Sequence, residues 1–330
     1  MIGAACVTEA DGGGGSDHNR RRWRLSIGYR KQRSHRHFVG TVEQKEREEQ
    51  ETQIVNDYHL FDVNVAYEFT PRFNMSVSVP FLVASRTRPA TLDRLRGIQN
   101  APDQVSHSIG FGDISVSGGM WVLDPARENR PKQNVYVGVG VKLPTGNEGV
   151  KDTVQTPTGP REIVVDQSIQ LGDGGWGLTL NTEMYRDLGR VRLFASGLYL
   201  INPRNTNGVP TGRGRASEAI MSVADQYLAR VGVSVPVPKK RNWTVSLFGR
   251  IEGVPARDLL GKSDGFRRPG YAISIEPGVI YRRARDVWSL SVPIAVKRNR
   301  VRSVPDIQDG RHGDAAFADY LITLGYSHIF

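Results

Sequence analysis

The sequence predicts an all-β, transmembrane up-and-down antiparallel β-barrel of about twelve strands, with short periplasmic turns and long extracellular loops. Three observations predict it. Apolar residues recur with period 2 against a counter-face of Gly, Ser, Thr and Asn, the opposite of a soluble sandwich with a polar exterior. Aromatic residues gather at the segment ends, where a membrane-spanning barrel carries its girdles. The connections alternate between short and long, as they do in bacterial barrels.

Residues 1–20 contain Gly12-Gly13-Gly14-Gly15-Ser16 and read as a flexible arm, which leaves 21–330 for the barrel. The first strand sets Trp23, Leu25, Ile27 and Tyr29 against Arg22, Arg24, Ser26 and Gly28. Phe61, Val63, Val65, Tyr67 and Phe69 follow, then Phe73, Met75, Val77, Val79 and Phe81. Ile114, Val116, Gly118, Met120 and Val122 precede the cleanest segment, Val135, Val137, Val139, Val141 and Leu143, whose alternate positions are Tyr136, Gly138, Gly140 and Lys142. The second half repeats the scheme with Trp176, Leu178, Leu180 and Met184. The stretch 191–201 is less regular, because Phe194, Leu198 and Leu200 fall on the polar side. Tyr227 to Val235, Trp243 to Ile251, Tyr271 to Ile275, and Trp288 to Val296 then alternate in turn, and Tyr320 to Phe330 closes the chain. Short turns fall near 70–72, 124–133, 187–190, 238–242 and 282–286. Long polar segments fall near 40–56, 85–107, 146–170, 202–224, 253–269 and 298–316. Pro80, Pro236 and Pro293 should mark strand ends, bulges or edges, since proline donates nothing to a ladder.

Composition narrows the alternatives. No apolar run approaches the roughly 20 residues of a membrane helix, and mean hydropathy is −0.39. A membrane-spanning chain of this kind must therefore be a closed barrel, which pairs every backbone group. The net charge of +10 allows nucleic acid, an anionic membrane surface or acidic solutes as partners. Cys6 is the single cysteine, so no intrachain disulfide forms. Residues 1–5 are too short for a leader peptide, so a removed leader or a misplaced start is expected. Gly3-Ala4-Ala5-Cys6 faintly suggests a lipoprotein cleavage site, but a leader remnant is the simpler reading.

Several motifs carry a family likeness: Val77-Ser78-Val79-Pro80-Phe81, Gly110-Phe111-Gly112-Asp113-Ile114, Val141-Lys142-Leu143-Pro144-Thr145-Gly146 and Glu276-Pro277-Gly278. In order and spacing over most of 56–330, the chain resembles the phenol meta-pathway (MetA-pathway) transporter family of outer-membrane proteins. The resemblance implies an outer-membrane location and passage of small, including aromatic, compounds. The basic stretch 20–37 is not part of the resemblance. The run Tyr320, Ile322, Leu324, Tyr326, His328 and Phe330 resembles a barrel-assembly signal, which edge pairing by the assembly machinery would read.

No metal site or cofactor is expected. His35 and His37 share a strand face without a third ligand, and His107, His312 and His328 are isolated. Gly110-Phe111-Gly112 precedes a strand instead of opening a helix, so it is no phosphate loop; its glycines suit a strand start or bulge. Lys239-Lys240-Arg241 and Arg282-Arg283-Ala284-Arg285 fall in expected periplasmic turns and read as solvated charge, not as nucleic-acid patches. An outer-membrane hydrolase would need a nucleophile and base. The neighbours His107 and Ser108 point to opposite faces of a strand, which places them poorly for that role.

The inward face should carry Asp62, Glu68, Lys142, Glu183, Arg192, Arg230, Arg250, Glu252, Glu276 and Lys297. These charges either line a watery passage or pair into a network that fills the interior, and a narrow passage flanked by pairs combines the two. The excess of Arg and Lys leans toward anionic solutes, unless it faces lipid head groups outside. The resulting expectation is a monomeric outer-membrane channel for small molecules, embedded in outer-membrane lipid. The competing expectation is a closed structural or adhesive barrel that binds partners through its long loops.

Overall fold

Lipid on one side and a lumen on the other require each strand to carry two unlike faces. The computed structural model, which describes residues 22–126 and 131–330, arranges twelve such strands in a closed antiparallel barrel. They are β1 (Arg22–Val39), β2 (Val55–Glu68), β3 (Phe73–Arg88), β4 (Gln104–Phe111 and Ser115–Trp121), β5 (Gln133–Lys142) and β6 (Gly177–Asp187). The second half comprises β7 (Arg192–Ile201), β8 (Gln226–Pro236), β9 (Trp243–Val254), β10 (Gly270–Arg283), β11 (Asp286–Ser291 and Ile294–Arg300) and β12 (Ala315–Ile329). Each strand pairs with the next, and β12 returns to β1 from Arg24↔Ile329 to Phe38↔Ala315. The expected arm, with Cys6, lies outside the described residues.

The outer face is an apolar belt. On β5, Val137, Val139 and Val141 are exposed while Gly138, Gly140 and Lys142 point inward and are buried. An aromatic row runs along the end where the turns are short. Trp243 packs on Tyr281, Tyr281 on Trp288 and Trp288 on Tyr326, with ring centroids 4.8, 5.5 and 5.5 Å apart. Across the closure the Phe330 N–H donates to the Trp23 carbonyl, and Trp23 packs on Tyr67 of β2 at 4.7 Å. Such a row fits the membrane–water boundary. Tyr29 with Phe61 and Phe81 with Phe111 mark the opposite boundary. The belt, its girdles and the closed sheet place the protein in the outer membrane.

The prolines sit where the ladder is interrupted. Pro236 ends β8, and Pro293 separates the two halves of β11. Pro80 lies inside β3, opposite the break in β4, where its carbonyl accepts from the Gly112 N–H. One expected orientation is corrected here. Beyond Pro293 the register shifts, Ile273↔Lys297 being followed by Ser274↔Ala295, and the extra residue Val296 turns Lys297 outward. Arg298 and Arg300 take the buried positions instead. A one-residue bulge exchanges the faces of everything beyond it.

Candidate functional site: the lumen

The inner face is lopsided because its side chains differ in size around the wall. On β4–β6 it is built from Ser115, Ser117, Gly119, Gly138, Gly140, Thr179 and Asn181. A Cβ at Gly140 would meet Thr179 Oγ1 at 2.5 Å and Ser117 Cβ at 2.7 Å, so the wall is already filled there at glycine size. On β7–β10 the inner residues are large. Phe194 and Phe248 meet edge to face at 5.8 Å, and the Arg230 guanidinium lies 5.1 Å above the Phe248 ring. The three apolar residues that broke the β7 alternation point inward: Phe194 and Leu200 are buried, and Leu198 lines the lumen. One side of the barrel is packed, and a cavity of about 780 Å³ remains, lined by residues from the turns at Thr70 and Pro125 up to Arg267 and Arg268.

The packed side holds four of the expected inward residues, Arg230, Arg250, Glu252 and Glu276, in one chain of charge. Glu276, 1% exposed, accepts from Arg230 at 3.1 Å and from Arg250 at 3.4 Å. Arg250 continues to Glu252 at 2.7 Å, and Arg30 reaches Glu252 at 3.2 Å. Strands β10, β11 and β12 separate β9 from β1, so the last pair crosses the interior. Of these residues, Arg30 and Glu252 line the cavity, whereas Arg230, Arg250 and Glu276 are buried outside its lining, with Arg230 against the Phe194 and Phe248 rings. Arg192 sits at the periplasmic end of the β6–β7 hairpin, paired with Asp187 at 2.5 Å and stacked over Tyr185.

The open side carries the remaining expected residues. Glu68 accepts from Arg24 at 2.7 Å near the floor. Glu183 faces the lumen across from Tyr136. Asp62 accepts from Ser78 at 2.5 Å. Lys142 bridges Asp173 and Asp113. Among the described lining residues there are six cations (Arg22, Arg24, Arg30, Lys142, Arg267, Arg268) and six carboxylates (Asp62, Glu68, Asp113, Asp173, Glu183, Glu252). The formal charges of the lining therefore balance, and the anion preference read from composition finds no support in that count. Trp121, Tyr136 and Tyr185 cluster near the floor with ring centroids 5.4 and 5.8 Å apart.

The loop between β5 and β6 folds back into the barrel. Val165 and Ile169, both 0% exposed, pack on Tyr58, Leu60, Leu82 and Ala84 of the inner faces of β2 and β3. Two sequence motifs anchor its base. Asp113 accepts from the Gly146 N–H at 2.9 Å and the Asp173 N–H at 3.2 Å, while the Thr145 hydroxyl accepts from the Ile114 N–H and donates to the Gly112 carbonyl. At the tip, Asp166 takes a bidentate pair from Arg268 at 2.7 Å and a further contact from Arg86 at 3.4 Å. Sequence reasoning missed Asp113, Asp166, Arg86 and Arg268. The available signal was the apolar pair Tyr58 and Leu60 on an otherwise polar inner face, which something had to cover. His107 and Ser108 do point apart: His107 is exposed beside Asp152, and Ser108 is buried, donating to the Ile169 carbonyl. His35 and His37 also part company at a bulge, toward Asp319 and Asp314.

The outer-loop carboxylates are held ionised. Burial pushes Asp166 up, but Arg268 and Arg86 outweigh it and keep the acid well below the ordinary carboxylate range. Asp314 is lowered to about 2, with His37 and Arg47 overcoming the same burial. A carboxylate depressed on folding adds stability that is present above its unfolded value, near 3.8, and is lost as pH falls toward the folded value. The contribution of these carboxylates to the urea midpoint of the folded barrel should therefore be constant above about pH 5 and be lost progressively below that. Asp166→Asn should lower the midpoint at pH 6 and flatten part of the fall. A wild-type midpoint that does not fall between about pH 5 and pH 3 would contradict this assignment.

The closed barrel, its lipid-facing belt and its partly filled lumen define an outer-membrane β-barrel. Among solved structures, an outer membrane channel from Pseudomonas putida F1 aligns with a TM-score of 0.61 at 11% identity, over 96% of this chain and 99% of that one. The Ralstonia pickettii toluene transporter TbuX aligns at 0.42 and 10% identity, over 94% of this chain and 90% of that one. The CymD monoaromatic hydrocarbon channel aligns at 0.40 and 9% identity, over 94% and 88%. At these identities the likeness is one of fold. No family model and no curated relative matches the chain.

Proposed function

We propose that the protein is a passive channel for small uncharged molecules that combine an aromatic or apolar body with hydrogen-bonding groups. One observation carries this reading: the cavity beside β2–β6 is lined by hydroxyl and amide groups with an aromatic floor, and its charges balance. Passage through such a lumen depends on width and lining polarity. The motif resemblance to the phenol meta-pathway transporters supports aromatic solutes, and the balanced lining argues against a strong preference for anions. Glu68, Lys142, Glu183 and Glu252 are the expected residues that keep a pore-lining role in this reading, whereas Arg230, Arg250 and Glu276 brace the wall.

Planar-bilayer recording tests it. The folded protein should conduct, with a potassium-to-chloride permeability ratio within about twofold of one, since paired charges impose little selectivity. Asp113→Ala should release the base of the inward loop and raise conductance severalfold. Absence of conductance and of liposome swelling in both wild type and Asp113→Ala would favour the closed-barrel reading, and strong anion selectivity would restore the one based on composition.

A further inference from the structure

The formal charges of the cavity lining balance, and part of the chain's excess positive charge lies on the lipid-facing side. Lys31 and Arg33 on β1 and Lys297 on β11 are exposed. They point outward: Lys31 is registered with Ile322 and His59, Arg33 with Asp57, and Lys297 with Ile273. None of the three takes part in an ion pair among the described residues. The carboxylates near them are otherwise engaged or fall short. Asp319 is held by Arg36 and Arg298, Glu43 by Arg36, and Asp57 opposite Arg33 does not close to an ion pair.

Their height is informative. Lys31 follows Tyr29, whose ring against Phe61 marks the outer aromatic boundary. Lys297 lies above Ile294, the partner of Tyr320. Only β12 separates the two strands, which puts their axes roughly 10 Å apart. At comparable height the outward positions Ser85, Leu178, Tyr227 and Tyr271 on other strands carry no charge. The cations thus form one sector of the rim, just above the belt, where exposed ammonium and guanidinium groups meet head groups instead of acyl chains.

We propose that this sector binds the phosphorylated disaccharide head of an outer-leaflet lipid A molecule, with Lys31, Arg33 and Lys297 as the phosphate ligands. The head group offers two phosphates, which suits cations presented from two strands on either side of β12. Each cation near an anionic membrane surface contributes about fivefold in affinity, so Lys31→Gln, Arg33→Gln and Lys297→Gln together should weaken binding roughly a hundredfold.

The test is native mass spectrometry of the detergent-folded full chain titrated with bisphosphorylated lipid A, dephosphorylated lipid A, or inorganic phosphate. Wild type should retain one bisphosphorylated lipid A through detergent removal. The triple Gln variant should lose it while keeping heat-modifiable gel mobility. Arg186→Gln, an exposed cation at the opposite end of β6, should bind as wild type does. Dephosphorylated lipid A should bind both proteins equally weakly, and inorganic phosphate should not compete at millimolar concentration. Equal retention by wild type and the triple variant, tight binding of the dephosphorylated lipid, or displacement by inorganic phosphate would overturn the assignment. Should the triple variant fail to fold, Lys31→Gln with Lys297→Gln decides in the same way, with a loss of about twenty-fivefold expected.

Discussion

Glu276→Gln should destabilise the barrel by about 3–5 kcal/mol, the cost of leaving a buried charge without its partner. The geometry makes the reason specific. Arg230 and Arg250 are direct cross-strand neighbours, and like charges so placed repel. Glu276 is the carboxylate between them, one oxygen to each, and is itself 1% exposed. Its removal leaves two guanidinium groups facing each other away from water. The pair Arg250 and Glu252 would persist. Urea or guanidinium unfolding in lipid vesicles measures the loss. Replacing Arg230 and Arg250 by Met together with Glu276 by Leu should cost far less than the single change, because well-packed apolar residues often substitute for a buried ionic cluster with little penalty. A triple variant as damaged as Glu276→Gln would show that the network itself adds net stability.

The outer half of this structure was legible in the sequence because lipid imposes one requirement everywhere. Every second residue must be apolar, and the run Val135, Val137, Val139 and Val141 states that without interference from neighbours. The inner half obeys no single rule. Whether Arg230 and Glu276 face water or each other depends on neighbours such as Phe194 and Phe248, which lie on other strands, and period 2 carries no information about what another strand presents. The irregularity at Phe194, Leu198 and Leu200 was visible, and its cause was the packed interior. Lys297 was misplaced because the proline at 293 signals a disturbed ladder without revealing that one extra residue follows it. The inward loop was opaque for a further reason. Val165 and Ile169 have no periodic context, and the residues they cover are about a hundred positions earlier in the chain. Asp113 was seen only as part of a motif, since its partners Gly146 and Asp173 are brought to it by the loop's return.

The facing of a single dipeptide separates the lipid side from the lumen. Val116 points outward between Val77 and Val141, each 40% exposed. Val116→Arg places a guanidinium in the belt and should cost about 2–4 kcal/mol toward the bilayer midplane, or block insertion. Ser117, one residue on, points into the cavity, where its hydroxyl lies 2.9 Å from that of Ser76. Ser117→Arg should lose about 0.5–1.5 kcal/mol with that hydrogen bond, since the long side chain can extend along the lumen toward Asp62 and Glu183. Its effect should appear in transport instead. The added side chain narrows the passage, and its added charge tips the formal balance of the lining toward anions, so conductance should fall by more than half while the permeability ratio shifts toward chloride. Vesicle unfolding reads the first consequence and bilayer recording the second. Equal destabilisation by both changes would mean that β4 does not separate lipid from lumen at this point. A stable Ser117→Arg with wild-type conductance and selectivity would mean that ions do not pass beside β4 at all.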